Sequence, residues 1–152
     1  MAFSFTPQRH LMELALQEAY MCRIYDEHPI GAVVAQGSRI ISCSGNRTHR
    51  DLNAAHHAEV VAIGEASQLL GRKDLSDCVL YTTHEPCLMC AGASIYARVS
   101  GIVYGTSVKD VAHFVAQHPQ MQWRSVHAPL DMLIRLSDKP DIQIREGFMR
   151  RQ

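Results

Sequence analysis

Two short stretches of the sequence combine residue types that can bind a metal ion and move protons. Residues 57–59 read His-Ala-Glu, and residues 86–90 read Pro-Cys-Leu-Met-Cys. Each stretch stands at the predicted start of a helix. Because Cys87 and Cys90 are three residues apart, their sulfurs share one face of a first helical turn, where the helix dipole favours thiolates. One imidazole and two thiolates form a set that zinc prefers, and three protein ligands leave a fourth position open for water.

Glu59 lies two residues beyond His57, so in a first helical turn it points to a different side of the site and need not bind the metal. A carboxylate beside water on zinc can accept a proton from that water, whose pKa zinc lowers toward roughly 7. The spacing therefore predicts a catalytic zinc site with Glu59 as the group that moves protons.

Two other kinds of site share the Cys-x-x-Cys spacing. A redox pair has it, but does not require His-x-Glu at another helix start. A zinc ribbon has it too, but needs a second pair of close ligands. His56 and His84 are the spare ligands nearby. If His84 completed the coordination, the site would be structural.

Composition limits the possible classes of protein. The chain has 152 residues, so we expect residues 1–152 to form a single domain, and it is 47% hydrophobic, enough for a buried core. Its 15 basic and 15 acidic residues cancel, which gives no bulk attraction to nucleic acid or membranes. The sequence lacks an apolar run of about 20 residues and a secretion signal, so we expect a cytoplasmic protein. Cys22, Cys43 and Cys78 are expected to be small core residues.

Helix and strand patterns alternate along the chain. The predicted helices cover residues 7–24, 57–70, 87–98 and 128–136, and the predicted strands cover residues 30–36, 39–44, 78–83, 101–105 and 141–145. Thr6 is the expected N-cap of the first helix, and Gly71 the expected C-cap of the second. Gly37 and Ser38 suit a tight hairpin turn. The order predicts an α/β fold whose sheet has helices on both faces and is mixed, because it opens with a hairpin.

His-x-Glu followed by Pro-Cys-x-x-Cys is a zinc deaminase signature. The chain resembles the cytidine deaminase superfamily, in the branch that holds guanine deaminases, tRNA adenosine deaminases and fungal cytosine deaminase. The similarity runs from about residue 29 to residue 105 and includes residues 29–33, 45–46, 55–60, 80–83 and 85–92. It implies a three-layer α-β-α fold with a five-stranded mixed sheet, Zn²⁺ between the starts of two helices, and a homodimer.

The resemblance also implies roles for individual residues. His57, Cys87 and Cys90 would bind zinc, while Glu59 would carry a proton from water to the ring and then to the departing amine. The N–H of Cys87 would donate to the oxygen that develops negative charge. Asn46 matches a residue that, in relatives, hydrogen-bonds the base or its sugar.

Two further residues bear on the substrate. Asp110 lies in a stretch, residues 109–114, that loosely resembles a segment of guanine deaminases, and a carboxylate could accept the N–H groups of guanine. The alternative is a solvated loop Asp. His84 stands where relatives often have Leu or Cys, so it would lie near the metal and touch substrate, or be a satisfied structural His. His56 also replaces a small residue, and we interpret it as structural.

These observations predict a zinc-dependent hydrolase that acts on a C–N bond of a cyclic amidine, a nucleobase or nucleoside, and releases ammonia. We expect a guanine-like purine to be the favoured substrate and tRNA to be a less favoured one, because the net charge is zero. The alternative is a tRNA-specific adenosine-to-inosine deaminase. An alternative from another class is a catalytically silent zinc-binding assembly module, which would not need Glu59. No membrane partner is expected.

Overall fold

A five-stranded mixed sheet lies between helices in the computed structural model, which describes residues 4–121, 123 and 128–150. The helices are α1 (Arg9–Met21), α2 (Ala58–Leu70), α3 (Leu88–Tyr96), α4 (Val108–Gln117) and α5 (Leu130–Arg135). The strands are β1 (Gly31–Gln36), β2 (Arg39–Gly45), β3 (Val79–His84), β4 (Gly101–Thr106) and β5 (Gln143–Arg145). Their order across the sheet is β2-β1-β3-β4-β5. Strand β1 is antiparallel to β2 and β3, whereas β3, β4 and β5 run parallel.

Alternate residues of β1 face two separate hydrophobic cores. Ala32 and Val34 belong to a core built with α2, α3 and α5, whereas Val33 and Ala35 belong to a core built with α1. All four are fully buried. Because successive side chains of a strand point to opposite faces, helices must cover both sides of the sheet. The predicted three-layer α-β-α fold with a five-stranded mixed sheet is confirmed.

Glycines at two turns adopt the left-handed conformation that the sequence pattern indicates. Gly37 has φ 60° in the two-residue turn between β1 and β2, and Gly71 has φ 65° at the C-cap of α2. Glycine reaches positive φ without the steric penalty that a Cβ brings. Both the hairpin and the end of α2 are therefore confirmed at the residues predicted for them.

The first helix differs from its predicted bounds. It begins at Arg9 rather than after Thr6, because the preceding Gln8 is tied to the sheet: its N–H donates to the Tyr81 hydroxyl at 3.2 Å and its side-chain amide donates to the Gly37 carbonyl at 3.1 Å. At its other end the chain tightens into a 3₁₀ turn, Cys22–Tyr25. The cap predicted at Thr6 is therefore wrong.

Helix α4 was not among the predicted elements. Ser107 caps it, since the Ser107 hydroxyl accepts from the Asp110 N–H and the Asp110 carboxylate accepts from the Ser107 N–H. None of its residues is buried, so α4 contributes no residue to the buried core. No helix among the described residues is long and apolar enough to cross a membrane.

The predicted core cysteines differ in burial. Cys22 and Cys78 are buried, as expected, whereas Cys43 is only half-buried against the core on the α1 side. Strand β2 lies at the edge of the sheet, which leaves part of this side chain open.

The crossing of α1 over β1 predicts a strong effect of adding one methyl group. A Cβ on Gly31 would overlap the Ala15 carbonyl oxygen, whereas a Cβ on Gly64 in α2 would have no heavy atom within 4 Å. We expect Gly31→Ala to lower the free energy of unfolding by about 1–3 kcal/mol. Gly64→Ala should raise it by about 0.5–1 kcal/mol. Urea unfolding followed by circular dichroism measures both, and equal stabilities of the two variants would contradict this packing.

Candidate metal centre and active site

The starts of α2 and α3 bring three potential metal ligands together. His57 is the N-cap of α2, Cys87 is the N-cap of α3, and Cys90 lies in the first turn of α3. The two sulfurs are 3.5 Å apart, and His57 Nδ1 lies 3.6 Å from Cys87 Sγ and 3.5 Å from Cys90 Sγ. One nitrogen and two sulfurs at these separations fit the three-ligand set of a catalytic zinc site.

Small residues allow the two helices to approach each other at this point. Ala58 and Ala62 of α2 and Ala91 of α3 are fully buried in the same core cluster. Ser94 is also fully buried, and its hydroxyl donates to the Cys90 carbonyl at 2.8 Å within the helix. Larger side chains here would separate the helix starts and with them the ligands.

Glu59 lies beside this group and is almost completely buried, with 2% of its surface exposed. One carboxylate oxygen accepts from the Thr82 hydroxyl at 3.3 Å, and the other lies 3.5 Å from Cys90 Sγ. Burial raises the pKa of Glu59 above its ordinary value. A carboxyl group with a raised pKa next to a reaction cavity suits proton transfer near neutral pH.

The two cysteines have opposite protonation tendencies without a metal ion. The thiol of Cys90 donates to Cys87, and this hydrogen bond, together with one from His57, lowers the pKa of Cys87 to about 4 despite its burial. The hydrogen bond to Cys87 and the burial of Cys90 itself raise the pKa of Cys90. Metal binding would therefore displace the proton of Cys90, as is usual for thiolate ligands.

A cavity of about 390 Å³ opens at this group, a size typical of small-molecule and cofactor sites. His57, Glu59 and Cys87 form part of its wall. The buried Asn46 also lines it, and the Asn46 amide nitrogen donates to Glu27 and to the Thr48 hydroxyl. The structure thus brings Asn46 to the same cavity as the candidate ligands and Glu59.

His84 also lines the cavity but stands apart from the candidate ligands. Its Nδ1 lies 2.6 Å from the Glu85 carbonyl oxygen, and its ring centroid is 5.4 Å from that of Trp123. It is not a member of the described ligand group. His56 lies outside the cavity, with its Nδ1 2.7 Å from the Asp51 carboxylate, which fits a structural role.

The structure does not bring Asp110 to this cavity. Its carboxylate accepts from the N–H and hydroxyl of Ser107 at 2.7 and 2.8 Å, and it pairs with Arg150 at 3.1 Å. The bonds from Ser107 lower the pKa of Asp110. The structure places this carboxylate at the cap of α4 and in the wall of a separate cavity, which does not support the expected contact of Asp110 with substrate.

Three residues near the cavity were missed by sequence reasoning. His28 and Trp123 line it, with their rings at 5.4 Å in an edge-to-face arrangement, and Glu27 holds Asn46. Trp123 is the only tryptophan of the sequence, and this was the one feature of the sequence that could have drawn attention to it. His28 and Glu27 precede β1 in a segment without a periodic pattern, so only the tertiary structure reveals their position.

A scan against family models matches residues 6–106 to the cytidine and deoxycytidylate deaminase zinc-binding region. This span contains the candidate ligands, Glu59 and Asn46, but not Asp110. That family binds zinc, which agrees with the donor set in the structure.

The chain is similar to known proteins over most of its length. A tRNA-specific adenosine deaminase of Agrobacterium fabrum is 38% identical over 147 residues, which are 93% of each chain. A solved structure from a study of A-to-I editing by tRNA:A34 deaminases at the wobble position is 35% identical, with a TM-score of 0.70 and coverage of 94% and 95%. A guanine deaminase structure from Bacillus subtilis is 29% identical, with a TM-score of 0.67 and coverage of 82% and 83%.

The thiol chemistry of the metal-free protein can be tested directly. With pKa values of about 4 for Cys87, about 11 for Cys43 and about 12 for Cys78, Cys87 should be the thiolate at pH 7. We expect iodoacetamide to modify Cys87 ahead of the other two, since the thiolate is the reactive form. Peptide mass spectrometry after timed reactions, with and without zinc, measures this order. Faster modification of Cys43 or Cys78, or no protection of Cys87 by zinc, would contradict the assignment.

Proposed function

Because the chain belongs to the family of zinc-binding cytidine and deoxycytidylate deaminases, we propose that it is a tRNA-specific adenosine deaminase. Family membership makes it a zinc-dependent hydrolase acting on C–N bonds of nucleobases or nucleosides. The observation that carries the tRNA assignment is the 38% identity to the Agrobacterium fabrum tRNA-specific adenosine deaminase over 93% of both chains.

The sequence-based ranking of tRNA below a small-molecule substrate is wrong. Similarity over nearly the full length to tRNA-specific adenosine deaminases overturns it. The ranking relied on the net charge of zero, which sums over the whole surface and hides local cations. Arg47 and Arg50 lie in the loop after β2, where Arg47 pairs with Asp51 at 2.9 Å and with Glu65 at 3.1 Å, and His49 of the same loop lines the cavity. The Arg50 guanidinium lies 4.5 Å from the centroid of the Tyr25 ring, a pair that suits contact with a nucleic acid.

The preference for guanine loses its structural basis. It rested on Asp110 as an acceptor for guanine N–H groups, and that carboxylate caps α4 instead. Adenosine requires no second carboxylate at the ring, because its ring nitrogens are acceptors.

In the proposed reaction, His57, Cys87 and Cys90 would hold the zinc ion, which when bound lowers the pKa of water and so supplies a nucleophile at neutral pH. Glu59 takes a proton from the attacking water and delivers it to a ring nitrogen of adenine. It then takes the remaining proton of the former water, now a hydroxyl on the attacked carbon, and gives that proton to the amine. The bond from the attacked carbon to the amine nitrogen breaks, the oxygen stays on the ring as a carbonyl, and ammonia leaves. The raised pKa of Glu59 suits a group that must both accept and release a proton.

Other groups of the chain would hold the base and stabilise charge. The N–H of Cys87 at the start of α3 is a candidate donor to the oxygen that gains negative charge at the attacked carbon. His84 and Trp123 offer aromatic surfaces in the cavity wall, on which an unpaired base can stack. A single domain over residues 1–152 and a homodimer, which the family resemblance implies, stay predictions.

The experiment is an assay of inosine formation in an anticodon stem-loop with adenosine at the wobble position, run beside free guanine and free adenosine. We expect the RNA to react and guanine to be inert. Glu59→Gln should lower kcat by about 10²- to 10⁴-fold, because a neutral amide cannot carry the proton. Glu13→Gln, at an exposed carboxylate paired with Arg9, is the matched control and should keep full activity. Ammonia release from guanine alone, or unchanged turnover in Glu59→Gln, would refute the proposal.

A further inference from the structure

Thr82 places a hydroxyl group inside an apolar layer of the core. It lies in β3, is fully buried, and is flanked across the sheet by Ala32 of β1 and Tyr104 of β4. Both neighbours, and Leu80 two residues earlier in β3, belong to the hydrophobic core on the side of α2 and α3. Valine would fill the same space without a polar group that needs a partner, so packing alone does not explain a hydroxyl at this position.

The partner of this hydroxyl is the carboxylate of Glu59. The Thr82 hydroxyl donates to Oε1 of Glu59 at 3.3 Å, whereas the other oxygen, Oε2, lies 3.5 Å from the sulfur of Cys90, a candidate zinc ligand. In the part of the chain that the structure describes, this is the one hydrogen bond of the Thr82 side chain. The two oxygens of Glu59 therefore have different surroundings, Oε1 beside the strand and Oε2 beside the metal group.

A carboxylate needs such a contact to keep one orientation. The last torsion of a glutamate side chain has a broad, roughly two-fold profile, so rotamer preference alone does not fix the plane of the carboxylate. Thr82, in contrast, is β-branched and therefore stiff about χ1, and it lies on the central strand of the sheet. A hydrogen bond from this rigid donor thus determines where each oxygen of Glu59 lies.

We propose that Thr82 is a positioning residue for the deamination: its hydroxyl holds Oε1 of Glu59, so that Oε2 is the oxygen that takes up and delivers each proton. This proposal rests on the proposed function. The hydrogen bond makes Oε1 the less basic oxygen, so the proton of the attacking water binds to Oε2 and passes from there to the ring nitrogen. The second proton takes the same route to the amine. Thr82 keeps its own hydrogen throughout, and Glu59 ends the cycle as a carboxylate.

The test measures single-turnover inosine formation in the anticodon stem-loop with the enzyme in excess, so that product release does not hide the chemical step. Thr82→Val removes the donor and should lower the maximal rate by about 10- to 100-fold. The half-saturating RNA concentration should not change, because Thr82 does not line the cavity. Thr82→Ser keeps the donor but lacks the methyl group that stiffens χ1, and should stay within about 5-fold of the wild-type rate.

Ser100→Ala is the matched control. Ser100 is also buried, and its hydroxyl donates to the Cys78 carbonyl at 2.7 Å, beside the first residue of β3. This variant loses one buried hydroxyl that does not contact Glu59, and should keep the wild-type rate. Zinc content and melting temperature are measured for every variant. Thr82→Ala, which also lacks the donor, repeats the comparison if Thr82→Val does not fold.

A double variant asks whether Thr82 acts through Glu59. In the Glu59→Gln background no carboxylate carries the proton, so adding Thr82→Val should change the residual rate by less than about 2-fold. A hydroxyl with a general structural role would instead cause the same loss in both backgrounds.

Each result decides the inference. Equal losses in Thr82→Val and Thr82→Ser, or the same loss with and without Glu59, would overturn it while the proposed function stands. A rate that falls only in proportion to lost zinc would make Thr82 structural and would overturn it as well. If the wild-type protein forms no inosine, the proposed function fails and the inference falls with it.

Discussion

The convergence of two helix starts on one point is the constraint on which the rest of the structure depends. His57 and Cys87 are the N-caps of α2 and α3, and Cys90 follows within one turn, with all ligand atoms inside 4.8 Å of one another. The loop after β2 leads to α2 and β3 leads to α3, and these two strands lie on either side of β1. The small side chains of Ala58, Ala62 and Ala91 are fully buried in one core cluster, so the core fixes the backbone positions from which the candidate ligands project.

Two buried carboxylates beside the cavity take opposite characters from their surroundings. Glu59 accepts from one hydroxyl and is almost completely buried, so desolvation raises its pKa. Glu27 receives four good donors, which outweigh desolvation and lower its pKa. The number of donors thus separates a group suited to carry protons from a group suited to hold a loop. Glu59 acts on the reacting atoms in the proposed mechanism, whereas Glu27 holds the loop after β2.

Much of the fold and the central group could be predicted because short-range signals specify them. Helix starts at His57 and Cys87, the hairpin at Gly37 and the C-cap at Gly71 depend on neighbouring residues. The contacts that define the rest of the cavity are long-range: Glu27 reaches a loop about 20 residues away, and Trp123 meets His28 from a segment without periodicity. Asp110 was predicted as a substrate contact because it lies in a local motif. Ser107, three residues before it, instead marks the cap of a helix in which Asp110 takes part. The ranking of tRNA below a small-molecule substrate failed because a net charge does not say where the charges lie on the surface.

X-ray absorption at the zinc edge of the purified protein tests the account most directly, since it counts the atoms around the metal. We expect one zinc per chain with two sulfurs at about 2.3 Å, and one imidazole nitrogen and one oxygen at about 2.0–2.1 Å. Every variant that keeps His57, Cys87 and Cys90 should also keep this oxygen in its spectrum. Absence of zinc, or four protein ligands around it with no oxygen from water, would contradict a catalytic metal site and with it the proposed reaction.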